Sequence, residues 1–170
     1  MEKKVFIENL LKAALDAGIE AAEVFTSYRD SFNAMCNNGE VTSYQVATKE
    51  GLSLRGLYNG KMGYASTEEL SAQQAKSVVA KAVDNAINLE SEEQVFLGEG
   101  GQEYEPLELK PYALPSTEEL IAKVLETTEK LYAADPLAVD GCQTQGIIET
   151  SEVAIYNSKG LDLHHSNKAS

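Results

Sequence analysis

The sequence is poor in cysteine, in basic residues and in long apolar runs. Its two cysteines, Cys36 and Cys142, lie far apart and outside any CxxC motif, which is typical of small buried residues in a reducing compartment. Basic residues number 14 against 27 acidic ones, and the formal charge of −13 opposes docking onto nucleic acid or an anionic membrane. Because no apolar run reaches roughly eighteen residues and no signal-peptide pattern opens the chain, we expect no membrane span and a cytoplasmic location.

Histidine is equally scarce, and this limits the chemistry that the chain can perform. The only histidines, His164 and His165, are adjacent in a segment with strand character, where successive side chains leave opposite faces. No HExxH or HExxxH spacing occurs, so the residues predict no metal site. Without a G-x-S-x-G elbow or a further histidine to act as base, a serine nucleophile is unsupported as well. The residues therefore predict no catalytic residue, no metal ligand and no cofactor.

The glycines of "GLSLRGLYNGKMGYAST" invite comparison with a phosphate-binding loop, and the comparison fails. Only three residues separate Gly56 from Gly60, and Met62 stands after Lys61 where a P-loop has serine or threonine. Asn59-Gly60 is instead a typical pair for the centre of a tight hairpin turn, where both residues adopt positive φ. A nucleotide-binding enzyme is accordingly the weakest of the functional alternatives.

The first half of the chain has the pattern of a helix, a run of strands and a second helix. Apolar residues at helical spacing predict a helix over 2–17 that ends at Gly18. From Ala22 the pattern changes to strands, and we predict an antiparallel meander of four or five of them. Two-residue turns are predicted at Asn38-Gly39, Glu50-Gly51 and Asn59-Gly60. A second helix over 71–89 opens with a capping box formed by Ser71 and Gln74.

The second half begins with a segment that has no periodicity. Residues 91–115 collect glycine, proline and glutamate, which is the composition of an extended connector. A third helix then starts at Ser116, with Glu119 completing a capping box, and Pro136 marks its end. Two strand-like runs, a turn at "NSKG" and a final strand-like run follow. We therefore predict an α+β fold with domains at 1–90, 91–115 and 116–170.

Two features at the surface and at the end of the chain lead to further expectations. Arg55 lies on the face of its strand opposite Leu52 and Leu54, so we expect it on a solvated face. The alternative is that it anchors a partner's carboxylate.

The chain stops at Ser170 within a strand-like run, and we expect it to be part of a longer protein. The residues from about 161 onward would then be disordered or paired with a second copy.

Five short motifs in register give the sequence its family resemblance. They are an "AEV" strand, an "NGEV" turn, a "GLSLR" strand, a "GKMGYASTEELS" run and an "NSKG" turn. In this order they resemble the TldD/PmbA family, and "PLELKPYALPSTEELIAKVLE" is similar to that family's linker and following helix. The motif "AST..LS" resembles the PmbA branch of the family, also called TldE, more than the TldD branch.

The resemblance implies a role in a cytoplasmic metallopeptidase complex that cuts unfolded peptides. TldD-type chains hold zinc through HExxxH and a further ligand in their C-terminal half, and this sequence contains no such motif. It implies no catalytic or metal-binding residue here, zinc only in a TldD-like partner, and no activity of this chain alone. A TldD-like subunit or a second copy would be its partner, with peptide as substrate. The turns would shape the sheet, one exposed strand edge of which could pair with peptide.

A different class of function stays open beside this one. An older label of the family is modulator of DNA gyrase, and a charge of −13 permits a regulatory module that binds a basic protein. The discriminating property is the response to salt, since docking driven by exposed charge weakens with screening whereas strand pairing and apolar contacts persist.

Overall fold

The computed structural model of the chain has an α+β fold, as the sequence predicts. It describes residues 3–90, 95–105, 107, 110 and 112–170. The elements are α1 (Lys3–Asp16), β1 (Ala21–Asn37), β2 (Glu40–Tyr58), β3 (Lys61–Thr67), α2 (Ala72–Asn88), α3 (Thr117–Ala134), a short 3-10 helix (Pro136–Asp140), β4 (Gln143–Asn157) and β5 (Asp162–Ala169). The strands form one five-stranded sheet in the order β3-β2-β1-β4-β5.

The chain divides into two compact units, each built from separate stretches of sequence. The first unit comprises Met1–Tyr28, Glu50–Pro106 and Glu152–His165, and the second comprises Arg29–Lys49, Leu107–Ser151 and Ser166–Ser170. The sequence boundaries 1–90, 91–115 and 116–170 stay a prediction. Part of the predicted connector, residues 91–94, 106, 108, 109 and 111, lies outside the described residues.

The core of the first unit lies between two helices and one face of the sheet. Apolar residues of α1 and α2 recur at helical spacing, and Phe6, Leu10 and Val78 are almost completely buried against β1 and β2. Val24 and Leu54 supply the sheet side of this core, since alternate strand residues point to the same face. The helices therefore cover one face of the first unit's strands.

The second unit has a smaller core under α3. Leu120 and Val124 pack against Cys36 of β1, which is fully buried and free, as predicted. Cys142 is also free but only half-buried, so its predicted burial was wrong. Ser116 and Glu119 form the predicted capping box at the start of α3. The 3-10 helix that follows α3 was not predicted from the sequence.

Two of the three predicted turns are present, and the third is absent. Asn38-Gly39 and Asn59-Gly60 both have positive φ, as expected for two-residue hairpins. Glu50-Gly51, in contrast, lies inside β2, which runs unbroken over 19 residues. The prediction of a turn there was wrong, because pairing with neighbouring strands overrides a weak local turn signal. The meander consequently has three strands rather than four or five.

We expect Gly60→Ala to lower the free energy of unfolding by about 1 to 2 kcal/mol, since Gly60 has φ +75 and a Cβ is strained there. No heavy atom lies within 4 Å of the added Cβ, so the cost comes from the backbone alone. Urea titration measures it. The control is Asn59→Gly, which is expected to change stability by less than about 0.5 kcal/mol because glycine adopts positive φ freely. Equal stability of Gly60→Ala and wild type would contradict the hairpin.

The C-terminal segment differs from expectation. Residues Asp162–Ala169 form β5, which pairs with β4 of the same chain, so the expected disorder of this segment was wrong. The turn before it is held by Asn157, whose backbone N–H donates to the Leu161 carbonyl at 3.0 Å. Pairing of β5 with a second copy stays a prediction.

Candidate functional site

The candidate site is the outer face of the first unit's sheet, the face opposite the core formed with α1 and α2. Strand alternation places Glu23 and Phe25 of β1 and Ser53 and Arg55 of β2 on this face. The β2–β3 register extends it, since Arg55 lies opposite Tyr64 and Ser53 lies opposite Ser66. The outer face contains a buried polar cluster at one end and an open groove beside it.

An ion pair forms the centre of the buried cluster. The Arg55 Nε donates to Oε1 of Glu23 at 2.7 Å, and Nη2 lies 2.5 Å from the same oxygen. The Glu23 side chain is only 7% exposed, whereas 38% of the Arg55 side chain reaches solvent. Arg55 thus lies on the outer face, as predicted, but it is half-buried in an ion pair rather than freely solvated. Its alternative role, an anchor for a partner's carboxylate, stays a prediction. A buried carboxylate needs a cationic partner to remain charged.

Asn157 completes the cluster and shapes the turn between β4 and β5. Its Nδ2 donates to Oε2 of Glu23 at 3.3 Å and to the Gly98 carbonyl at 2.7 Å. Its Oδ1 accepts from the backbone N–H groups of Lys159 and Leu161 at 2.9 and 3.0 Å. The side-chain amide of Asn157 thus forms hydrogen bonds with the turn, with β1 and with the segment at Gly98.

Residues 95–101, which we call the strap, cover one end of the outer face. Leu97 is 3% exposed and packs with Ala21 and Met62. The Gly100 N–H donates to the Lys159 carbonyl at 3.1 Å. A Cβ on Gly100 would lie 2.1 Å from the backbone of Gly160, so the close approach of strap and turn requires glycine.

The open groove lies beside the buried cluster. It has a volume of about 640 Å³, within the range of about 300 to 1,000 Å³ that is usual for ligand pockets. Its lining residues come from β1, from β2, and from the end of β3 with the loop that follows, and they are Phe25, Ser27, Gly51, Leu52, Ser53, Ser66, Thr67, Glu68 and Glu69. The groove can therefore hold a polypeptide segment or a small molecule.

The strand β3 lies at the edge of the sheet, and α2 contacts part of this edge. The Asn85 side chain of α2 donates to the Tyr64 carbonyl at 2.7 Å, and a Cβ on Gly63 would lie 1.8 Å from the Ala82 carbonyl oxygen. The Tyr64 carbonyl is therefore already bound and is not free to pair with an added strand. At Tyr64 the edge is thus unsuited to strand pairing with peptide.

The described residues do not provide a set of donors that fits zinc. His164 and His165 follow each other in β5, and one is exposed while the other is half-buried, as alternation requires. Within residues 3–90, 95–105, 107, 110 and 112–170, no group of three histidine, cysteine or acidic side chains is arranged to hold a metal ion. A zinc site needs three or four such ligands, so we derive no chemical step through zinc in these residues.

The sequence reasoning missed the buried cluster, although a signal for it was present. Glu23 is a charged residue inside the apolar run "AAEVF", and such a residue needs a cationic partner when the strand is buried. Only Arg29 and Arg55 could supply a guanidinium. Glu23, Arg55 and Asn157 belong to three of the motifs that carry the family resemblance, and the fold brings these motifs together.

One known family has a profile that is similar to part of this chain. Residues 22–87 match the profile described as PmbA/TldA metallopeptidase domain 1. The match covers β1, β2, β3 and nearly all of α2, so it includes the ion pair and the groove. The resemblance inferred from the motifs is confirmed. No curated protein matches the chain at a significant level.

Solved structures share the fold over nearly the whole chain. TldE from Thermococcus kodakarensis superposes with a TM-score of 0.77 at 20% identity, over 96% of this chain and 37% of that protein. A Thermotoga maritima protein, provisionally described as a modulator of a DNA gyrase, gives 0.78 at 21% identity over 97% and 37%. A Bacteroides thetaiotaomicron protein with a similar description gives 0.76 at 18% identity over 98% and 39%. At these identities the likeness shows the fold, and the chain spans less than two fifths of each protein.

Proposed function

We propose that this chain is the non-catalytic first domain of a PmbA/TldE-like subunit in a cytoplasmic metallopeptidase complex of the TldD/TldE type, which acts on unfolded peptides. The observation that carries the proposal is the match of residues 22–87 to domain 1 of the PmbA/TldA metallopeptidases. The fold shared with TldE supports it. Because the chain spans only 37% of that protein, the activity and partners of the whole complex belong to the proposal.

In this proposal zinc and the catalytic residues belong to a TldD-like partner. This part of the proposal is supported by the metal-ligating side chains, since the described residues contain no cluster of three that could hold a metal ion. This chain would contribute contacts to the partner, or to a second copy, and a surface for peptide. We expect no direct contact with nucleic acid, because a charge of −13 opposes binding to phosphates. None of the helices in the described part of the chain has the length and apolar character that a membrane span requires.

A pull-down combined with metal analysis tests the proposal. The tagged chain is incubated with a purified TldD-type protein at roughly 0.1 and 0.5 M NaCl, and we expect retention at both because apolar contacts resist screening. The chain alone is expected to carry far less than one zinc per molecule and to leave an unstructured fluorogenic peptide intact. One zinc per chain, lost in the His164→Ala/His165→Ala variant and accompanied by hydrolysis, would overturn the non-catalytic role, as absence of retention would overturn the partnership.

The second candidate is an acidic regulatory module that binds a basic protein. It is favoured by a specific observation, namely that two proteins of the same fold are described as modulators of DNA gyrase. The charge of −13 is consistent with a basic partner. Retention of gyrase subunits at the lower salt concentration only, without retention of the TldD-type protein, would favour this candidate over the first.

A further inference from the structure

The groove has an aromatic floor that the fold leaves uncovered. Phe25 lies on the outer face with 40% of its surface exposed, although its neighbours Val24 and Thr26 on β1 are buried. The hydroxyl side chains of Ser53 and Ser66 lie beside it among the lining residues. Exposure of an aromatic ring to water is unfavourable, so a ligand that covers the ring is bound more tightly.

The rim of the groove is acidic. Among the described residues that line it, Glu68 and Glu69 are the charged ones. Hydrogen bonds between Thr67 and Glu69 fix this turn, since the Glu69 N–H donates to Oγ1 of Thr67 at 3.0 Å and that hydroxyl donates to the Glu69 carbonyl at 3.2 Å. Oε2 of Glu69 accepts only a long bond of 3.3 Å from Gln74, and among the described residues Glu68 forms no ion pair.

Two cations near the groove are already paired. Arg55 is bound to Glu23 at 2.5 Å, and Lys3 is bound at 2.9 Å to Glu50, the residue before the lining residue Gly51. Each pair cancels its own charge to a first approximation, and among the lining residues the net charge comes from Glu68 and Glu69. The groove is therefore complementary to a positive charge.

We propose that this groove takes a basic polypeptide segment, with the stem of a lysine or arginine laid over the Phe25 ring and its charge held between Glu68 and Glu69. The stem and the other apolar atoms of the segment cover the exposed ring, while the charged end of the side chain meets the carboxylates. The segment lies across the outer face. It does not extend the sheet at β3, where α2 lies against Gly63 and Asn85 binds the Tyr64 carbonyl.

The inference deepens the proposed function, because it names the chemistry of the peptide that this domain contacts. It rests on that function only for the source of the peptide. An acidic segment would meet the carboxylates of Glu68 and Glu69, and like charges at short range are unfavourable. Basic segments are thus selected over acidic ones of the same shape.

Fluorescence anisotropy with defined probes tests the proposal on the chain alone. The first probe is fluorescein-labelled Gly-Ser-Leu-Lys-Leu-Ser-Gly, and the second is the same peptide with its lysine acetylated, which removes the charge and keeps the stem. We expect saturable binding of the lysine probe, and binding of the acetylated probe that is weaker by about threefold or more. We also expect Glu68→Gln/Glu69→Gln to weaken the lysine probe about threefold to tenfold.

A matched control separates the groove from the overall charge of the chain. The variant Glu8→Gln/Glu129→Gln removes the same two charges from exposed helix positions on α1 and α3, and its affinity is expected to stay within about 1.5-fold of wild type. Phe25→Ser is expected to weaken both probes, with folding checked by circular dichroism. Equal losses in the two glutamine variants, equal binding of the two probes, or no saturable binding would each overturn the proposal.

The outcome is independent of the test of the proposed function. Peptide binding by the chain alone requires no partner, no zinc and no hydrolysis, so it can succeed when the pull-down fails. Conversely, if the chain retains the TldD-type protein but shows no preference for the lysine probe, the result contradicts the basic-peptide groove and still supports the proposed function.

Discussion

Gly63→Ala is expected to abolish cooperative folding or to lower the free energy of unfolding by about 3 to 5 kcal/mol. The added Cβ would lie 1.8 Å from the Ala82 carbonyl oxygen and 2.9 Å from the Ala86 nitrogen, both in the backbone of α2. Rotation of a side chain cannot relieve this clash, so β3 and α2 must move apart. Separation also breaks the hydrogen bond from Asn85 to the Tyr64 carbonyl, which is 2.7 Å long.

Thermal and urea unfolding measure this effect, and Gly51→Ala is the matched control. Gly51 lies on β2 in the same unit, and an added Cβ has no neighbour within 4 Å. Its φ lies outside the positive range, so the substitution is expected to change stability by less than about 1 kcal/mol. Gly56→Ala is expected to fall between the two, because the nearest atoms belong to the side chain of Ile19, which can shift. A Gly63→Ala protein with wild-type stability would show that α2 does not lie against β3 in this way.

Arg55→Met is expected to lower the free energy of unfolding by about 2 to 4 kcal/mol. The variant removes the cationic partner of Glu23, whose side chain is only 7% exposed. Among the described residues, the long hydrogen bond of 3.3 Å from Asn157 is the one that would remain for that carboxylate. Glu23→Gln is expected to cost less, about 1 to 2 kcal/mol, because Arg55 is 38% exposed and can turn toward solvent.

The chain provides a matched control in its only other arginine. Arg29 pairs with Glu149 at 3.3 Å, and 60% of the Arg29 side chain is exposed, so Arg29→Met is expected to cost less than about 1 kcal/mol. Urea titrations of the single variants and of Arg55→Met/Glu23→Gln form a double-mutant cycle. We expect the double variant to be more stable than the sum of the single losses predicts. Equal losses for the two arginines would mean that burial of Glu23 has no energetic consequence.

Local signals in the sequence determined the helices and two of the hairpins. Helix α1 ends before Gly18 and α3 begins after Ser116, as predicted, because capping depends on groups within a few residues of each other. Asn59-Gly60 forms a turn for the same reason, since few other residue pairs tolerate positive φ at two successive positions. The family resemblance was also readable from the sequence, and the match at residues 22–87 confirms it.

Strand boundaries were less predictable, because pairing partners decide them. Glu50-Gly51 has the composition of a turn, yet β2 continues through it and the next residue, Leu52, pairs with Thr67 of β3. Likewise "CQTQGIIETS" and "EVAIYN" form the single strand β4. Strands of 15 to 19 residues are far longer than is usual, and their continuity depends on neighbouring strands rather than on local preference.

Only the tertiary structure decided the candidate site. Glu23 and Arg55 are 32 residues apart in sequence, and Glu23 and Asn157 are 134 apart, so no local pattern could pair them. The sheet order β2-β1-β4 brings them together on one face. The groove arises in the same way, because Phe25, Ser53 and Glu68 become its neighbours only when β1, β2 and β3 lie side by side. Sequence determines what depends on adjacent residues, whereas contacts that require closing long loops are fixed by the energy of the whole fold.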